Sequence, residues 1–336
     1  MFDLPKLRVA VTRECQMSCI YCPRGSSVSM ENYNGHTSKS LNTEELHEVL
    51  SVLVASGIKT VHFTGGEPLR RDDIACLISK TKALGTSVEL NTNGVDLTAT
   101  KALELKESGL DLLKVSFDTP DNQSFKEMTG LDMFDLVHKN IKQAIDILPV
   151  RLNCVVLRRN LPLVLQLIRM ADSMGAPAIH FLDLTYYPWE GAIDFFEKEF
   201  VDLAITIRPM LEEEFGKPFT TLDIKGCHFS EMVRGEGKTR IVLKEADLTM
   251  RNRKVCDQCL TYCHEGIFTV RMSVDGYINF CPCANTHGVD ALQSARNGQL
   301  VEVMAKYSEI IETARVTNSF PHFLTCNGIL LDGGSK

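Results

Sequence analysis

The chain contains no apolar run approaching the length of a membrane span. Its first residues, MFDLPKLRVAVTREC, carry an early Asp and lack the apolar stretch of a signal peptide. A cytoplasmic protein with no membrane attachment is expected. Basic residues do not dominate either: 36 Lys and Arg stand against 43 Asp and Glu, a net charge of −7, which argues against wholesale binding to nucleic acid. There is one tryptophan, no tandem repeat of fixed period and no low-complexity tract, which excludes solenoid, collagen-like and disordered chains. The 336 residues are 44% hydrophobic and 24% charged, an ordinary globular composition for about two domains.

What the chain has in quantity is cysteine, twelve in all. A chain this long buries a sizeable core without staples. In a reducing compartment, closely spaced cysteines are metal ligands or catalytic groups more often than disulfides. Cys15, Cys19 and Cys22 form one knot, and Cys256, Cys259, Cys263, Cys281 and Cys283 form another. Two metal sites are expected. Cys154, in an apolar strand pattern, and Cys76, on an apolar helix face, belong to the core on this reading. Cys227 and Cys326 are isolated, and His264 beside Cys263 reads as incidental.

Short apolar runs alternate with helical patterns over the first two-thirds of the chain. Strands are expected at Leu7 to Thr12 and in TVHFTGG, SVELNTNG, LLKVSFD, VRLNCVV and AIHFLDL. Helices are expected in LNTEELHEVLSVLVASG, capped by Asn42 or Thr43 and closed by Gly57, and in DDIACLISKTKALG, closed by Gly85. Three more follow near Thr98 to Ser108, Met133 to Ile147 and Leu161 to Met174. Six βα units in about 185 residues imply an α/β protein with a parallel sheet and helices outside. After Asp183 the alternation fades into a loop-to-helix transition, a helix over Asp202 to Phe215, and an irregular region from Lys225 to Lys244. In that region RGEGKTR lacks the glycine spacing of a phosphate loop and reads as a flexible charged connection.

Polar or glycine clusters end the strands: Thr64-Gly65-Gly66-Glu67, Asn91-Thr92-Asn93-Gly94, then Ser116 and Asp118. Ligands of parallel α/β sheets bind at those ends, and strand position turns Asp118 and Asn153 towards them. Asn-Gly and Gly-Gly are ordinary turn signals one at a time; their joint placement argues for a site. Directly after the first strand, Cys15-x3-Cys19-x2-Cys22 places three thiols within eight residues. Four-iron clusters usually take four thiolates, so three would leave one iron open to a small molecule. Structural zinc is the alternative, although such sites usually close with a nearby fourth Cys or His and the next His here is His36.

These residues resemble the radical S-adenosylmethionine (SAM) superfamily. The resemblance rests on Cys15-x3-Cys19-x-Tyr21-Cys22, on Gly65-Gly66-Glu67-Pro68, on Asn91-Thr92-Asn93-Gly94, and on Ser116-Phe117-Asp118. It implies a [4Fe-4S] cluster on the three cysteines whose open iron chelates SAM. It further implies that Tyr21 lies near the adenine and that Gly65, Gly66, Glu67 and Pro68 hold the methionine amino group. Asn91, Asn93, Ser116 and Asp118 would contact the ribose and the methionine carboxylate. The fold implied is a partial (β/α)6 TIM-type barrel over residues 1–220, with a smaller C-terminal auxiliary-cluster domain over 221–336. The activity implied is reductive cleavage of SAM to a 5′-deoxyadenosyl radical, with flavodoxin or ferredoxin as reductant.

Within the superfamily, VAVTRECQMSCIYCP, TGGEPLRRDDI, LKVSFD, RLNCVVLRRN and RMSVDGYINFC are similar to the MoaA-like branch, the GTP cyclases of molybdenum cofactor biosynthesis. Arg71 and Arg271 match basic positions associated with substrate there, and Asn153 faces the same pocket. The chain departs from that branch after CDQC, where LTYCHEGIFTV adds Cys263. A second [4Fe-4S] cluster on Cys256, Cys259, Cys263 and Cys281 is expected, with Cys283 a bystander or an alternative to Cys281. Divergence of this kind is found in related natural-product enzymes such as cytosylglucuronate decarboxylase. A small anionic nucleotide, nucleoside or sugar-acid substrate is expected, met by a basic mouth of Arg13, Arg24, Arg71, Arg158 and Arg271. The rival readings are a peptide-modifying maturase with an auxiliary cluster and a non-enzymatic zinc-binding regulator.

Overall fold

A computed structural model describes residues 6–22, 40–185, 192–224, 227–244, 269–279 and 289–317. In chain order the elements begin β1 (Lys6–Ala10), α1 (Thr43–Ala55), β2 (Thr60–Thr64), α2 (Ile74–Lys82), β3 (Ser87–Thr92) and α3 (Ala99–Glu107). They continue with β4 (Leu112–Ser116), α4 (Asn122–Thr129), α5 (Phe134–Ile145), β5 (Val150–Val155), α6 (Val164–Met174) and β6 (Ala178–Leu182). Then come α7 (Ala192–Glu199), α8 (Arg208–Phe215), β7 (Thr220–Ile224), β8 (Cys227–Met232) and β9 (Arg240–Lys244). The last are β10 (Thr269–Met272), β11 (Tyr277–Asn279), β12 (Val289–Asp290), α9 (Ala291–Arg296) and α10 (Leu300–Thr317). The α/β class and the alternation of the first six strands with helices follow the pattern of the sequence.

Local chemistry explains the boundaries. Asn42, not Thr43, caps α1: its side chain accepts from the Glu45 amide at 2.9 Å, and Glu45 accepts from the Asn42 amide at 2.9 Å. Before α6, Leu161–Leu163 forms a tighter 3-10 turn around Pro162. Before α8, Leu203–Ile207 forms a wider turn, and Pro209, which has no amide donor, sits at the junction. The sequence pattern missed α4. Its signals are Asp121, whose carboxylate accepts from the Ser124 amide at 2.9 Å, and Gly130, left-handed at φ +78° just past the end.

Contacts divide the chain into two compact units, 1–14 with 23–89 and 248–336, and 15–22 with 90–247; the boundary falls inside β3. In the first unit the strand order is β12-β11-β10-β1-β2, with β10, β1 and β2 parallel and β11 and β12 antiparallel. Leu7, Val9, Val61, Phe63 and Val270 join Leu46, Leu50 and Leu53 of α1 in its core, all fully buried. In the second unit the order is β4-β5-β6-β9-β8-β7, parallel through β9 and antiparallel beyond it. Leu113, Val115, Leu152, Cys154, Ile179 and Phe181 form its core. Because side chains alternate along a strand, the opposite face aligns Ser116 with Asn153 and Asn153 with His180.

Two expectations need correcting. Cys154 is buried as expected, but Cys76 is exposed: the apolar stripe of α2 is Ile74, Leu77, Ile78 and Thr81, and residue 76 falls off it. The region from Lys225 to Lys244 is not irregular either, since β8 and β9 form a hairpin turning through Gly235 and Gly237. Nor is Arg234 a flexible charge. It grips Asp172 of α6 with two hydrogen bonds of 3.0 and 2.6 Å, donates to the Thr239 carbonyl at 2.9 Å, and lies 4.6 Å over the Phe215 ring. Its charge disguised a strand end that tertiary contacts neutralise. Among the described residues, no helix is long and apolar enough to cross a membrane.

Burial pushes the Asp172 carboxyl up, but hydrogen bonds from Arg234 and the Thr239 amide outweigh that and hold it below the ordinary aspartate value. A depressed carboxyl contributes stability above its unfolded-state value and loses it as pH falls through the folded one. Arg234→Ala should therefore destabilise the chain by about 3 kcal/mol at neutral pH, because a mostly buried carboxylate loses its partner. Urea unfolding should show the gap between Arg234→Ala and wild type closing below about pH 4.

Candidate active site

In the first unit, the chain leaving β1 runs beside the turn that ends β2. The Val11 amide donates to the Thr64 carbonyl at 2.9 Å, the Gly66 amide to Thr12 at 2.8 Å, and the Glu67 amide to Glu14 at 2.6 Å. Gly65 has φ +136°, and a Cβ there would lie 2.5 Å from the Thr12 carbonyl oxygen; one on Gly66 would overlap the Glu14 carbonyl. The glycines thus admit the chain's own backbone, immediately before Cys15. Glu67 is 1% exposed, and its Oε1 accepts from the Leu69 amide at 3.0 Å, capping a single 3-10 turn that begins at Pro68.

All five N–H donors of Arg71 are engaged by the same unit. Nη1 donates to the Val11 carbonyl at 2.9 Å and the Leu41 carbonyl at 3.1 Å, Nη2 to Thr43 and Asp73, and Nε to Asp73 at 2.7 Å. A substrate contact by Arg71 would have to take those donors from the protein. Arg158 likewise donates to the Lys198 and Phe200 carbonyls, in the second unit. The expected basic mouth is reduced accordingly. Of its other members, Arg13 lies 3.9 Å from Asp275, Arg271 is buried beside Arg8 in the β10–β1 register, and Arg24 lies outside the described residues.

In the second unit, the loop from Cys15 to Cys22 is held at three places. Asn93 Nδ2 donates to Gln16 Oε1 at 3.2 Å and approaches the Cys15 sulfur at 3.8 Å, while Gln16 donates to Asp96 at 3.1 Å. The Ser18 and Ile20 amides donate to the Thr129 and Met128 carbonyls at 2.8 and 3.0 Å. The Tyr21 hydroxyl donates to Asp118 Oδ2 at 2.6 Å. Met128, Thr129 and Gly130, where a Cβ would strike the Ser18 hydroxyl, were missed from the sequence along with the rest of α4. Nearby, Ser116 is exposed at the end of β4, Asn91 is half-buried on β3, and Asn153 accepts from Arg151 at 3.2 Å.

Burial pushes the Cys19 thiol up, and so would negative charge on Asp118, Cys22 and Cys15. Burial and these neighbours thus favour the neutral thiol at Cys19. Among the described residues, no group of three or more His, Cys, Asp or Glu is arranged to chelate a single metal ion. Cys15, Cys19 and Cys22, all thiols, are the donors available. Burial raises Asp118 to about 6 against the pull of hydrogen bonds from Tyr21 and the Val155 amide, so at neutral pH it is a carboxylate. Burial and that carboxylate raise Tyr21, which stays a hydroxyl donor. Cys256, Cys259, Cys263, Cys281 and Cys283 lie outside the described residues.

Comparison with known proteins shows the family. Residues 9–170 match the family model of the radical SAM superfamily. A probable GTP 3′,8-cyclase of Pyrococcus abyssi is 31% identical over 306 residues, covering 89% of this chain and 93% of that protein. One from Saccharolobus islandicus is 32% identical over 292 residues, covering 86% of each. Among solved structures, Streptococcus suis SuiB bound to its precursor peptide SuiA superposes with a TM-score of 0.66 at 15% identity. That match covers 90% of this chain but 65% of SuiB, and at such identity it shows the fold alone.

The glycine turn generates a direct test. Gly66→Ala should force the Glu14 backbone to move and destabilise the chain by about 1–3 kcal/mol, with a matching loss of bound iron after reconstitution. Gly85→Ala, where nothing lies within 4 Å of the added Cβ, should carry only its left-handed backbone penalty of about 1 kcal/mol and keep its iron. Thermal melts and iron assays of both variants would check this.

Proposed function

This chain belongs to the MoaA-like branch of the radical SAM superfamily, and on that premise we propose that it abstracts hydrogen from a small anionic nucleotide, nucleoside or sugar-acid substrate. It is an enzyme, as that family membership shows. The observation that carries the reading is the threefold anchoring of the Cys15–Cys22 loop, made mainly through the residues between its thiols. Cys15, Cys19 and Cys22 would hold a [4Fe-4S] cluster. When bound, that cluster supplies the electron that splits SAM into methionine and a 5′-deoxyadenosyl radical.

The residues at the strand ends have separable tasks. Gly65, Gly66, Glu67 and Pro68 present turn carbonyls and a buried carboxylate, suited to the ammonium of SAM. Asn91, Asn93 and Ser116 offer neutral hydrogen bonds suited to its ribose and carboxylate. For the substrate, Arg271 provides a buried planar fork suited to phosphate or carboxylate, and Asn153 a neutral donor one strand from Ser116. A nucleotide is favoured by the names of the relatives, GTP 3′,8-cyclases. The spacing of Cys256, Cys259, Cys263 and Cys281 supports a second, auxiliary [4Fe-4S] cluster, with flavodoxin or ferredoxin as the reductant in the cytoplasm.

Anaerobically reconstituted protein incubated with SAM and dithionite tests this reading. About eight irons per chain are expected, with 5′-deoxyadenosine formed and then reduced to background by Cys19→Ala. Zinc without iron or sulfide would overturn it. About four irons would remove the auxiliary cluster alone. With GTP or a sugar acid present, Arg271→Ala should raise KM about tenfold or more while the uncoupled SAM cleavage persists.

A further inference from the structure

Asp118 makes contacts that a cofactor-binding role does not account for. Both oxygens of its carboxylate are engaged within the protein: Oδ2 accepts from the Tyr21 hydroxyl at 2.6 Å, and Oδ1 accepts from the Val155 amide at 2.8 Å. Its backbone carbonyl accepts from Asn160 Nδ2 at 3.0 Å. Asn160 is itself 1% exposed, and it also donates to the Val155 carbonyl at 3.0 Å and accepts from the Leu157 amide at 2.7 Å. The ends of β4 and β5 are thereby clamped together, and a single side chain reaches from the clamp to the residue before Cys22.

We propose that Asp118 is a positioning residue for the cysteine loop: its carboxylate, fixed by Val155 and Asn160, holds Tyr21 and through it sets where Cys19 and Cys22 present their thiols. This rests on the reading of those cysteines as cluster ligands. The other two anchors of the loop act on its backbone amides at Ser18 and Ile20 and on the Gln16 side chain. Neither reaches the C-terminal end of the loop, where Cys22 lies. The Tyr21–Asp118 bond is a side-chain tie at that end, 2.6 Å long. A hydroxyl donating to a carboxylate is among the stronger hydrogen bonds, and removing one partner leaves the other unsatisfied in a buried place.

The test uses full-length reconstituted protein in wild-type form and as Tyr21→Phe, Asp118→Asn, Asp118→Ala and the double variant Tyr21→Phe with Asp118→Ala. The readouts are the rate of iron loss to a chelator and the change in the reduced cluster's EPR spectrum on adding SAM, which reports the open-iron cluster separately from any auxiliary one. Apo-protein melting serves as the control for the fold. Tyr21→Phe and Asp118→Ala should each speed cluster loss about tenfold and broaden or abolish the SAM-induced spectral change. The double variant should be no worse than the poorer single one, because both break the same tie. Asp118→Asn can still hydrogen-bond Tyr21 and should remain within about threefold of wild type.

Tyr21→Phe removes a single oxygen and tests the inference even if Asp118→Ala fails to fold. A wild-type rate of iron loss and a wild-type spectrum in Tyr21→Phe would overturn the proposal. So would additive losses in the double variant, or a fall in apo-protein melting that accounts for the whole effect. A wild-type chain that takes up no iron would instead overturn the cluster reading itself, and so the two failures are told apart.

Discussion

Three thiols in a loop of eight residues pose an electrostatic problem before any chemistry begins, because each negative charge on one makes the next harder to form. The protein fixes the segment that carries them. It holds the loop by its intervening residues: the Gln16 side chain on Asn93 and Asp96, the amides of Ser18 and Ile20 on the end of α4, and the Tyr21 hydroxyl on Asp118.

The same division of labour governs the arginines. A guanidinium carries five donors in a fixed plane, and Arg71 places all of them on one segment of its own unit, tying Val11, Leu41, Thr43 and Asp73 together. Arg234 does the equivalent for the β8–β9 hairpin through Asp172 and Phe215. These two arginines are struts, and sequence position alone does not distinguish a strut from a ligand contact. That distinction narrows the anionic recognition proposed for substrate to far fewer groups than the arginine content near the strand ends would suggest.

The glycines of the turn after β2 illustrate a related point. Their smallness serves the approach of two backbone segments, so the turn and the residues before Cys15 are stitched by amide–carbonyl hydrogen bonds. Carbonyls not used in the stitching can then be offered to a ligand from a rigid support. Preorganisation of this kind is what a site handling a reactive radical needs, since loosely held groups would be the first to be attacked or misaligned.

The α/β alternation, the ends of α1 and α3, the burial of Cys154 and the thiol triplet were all legible in the linear chain, because they depend on periodicity, capping residues and short spacings that are local. Helix α4 was legible in principle through Asp121 and Gly130, but its eight residues are too few and too polar to show an apolar stripe. The hairpin of β8 and β9 was hidden for a different reason: Arg234, Lys238 and Arg240 look solvated until Asp172 and Phe215, far away in sequence, are brought against Arg234. Which cysteine faces solvent, which arginine is a strut, and that Asp118 holds Tyr21 were decided only by tertiary structure. Those outcomes turn on pairings of residues up to 97 positions apart, and a hydrogen bond between side chains leaves no periodic trace in the order of residues. The sequence by itself determined the family and the alternation of the first six strands with helices, because both rest on short motifs and local periodicity.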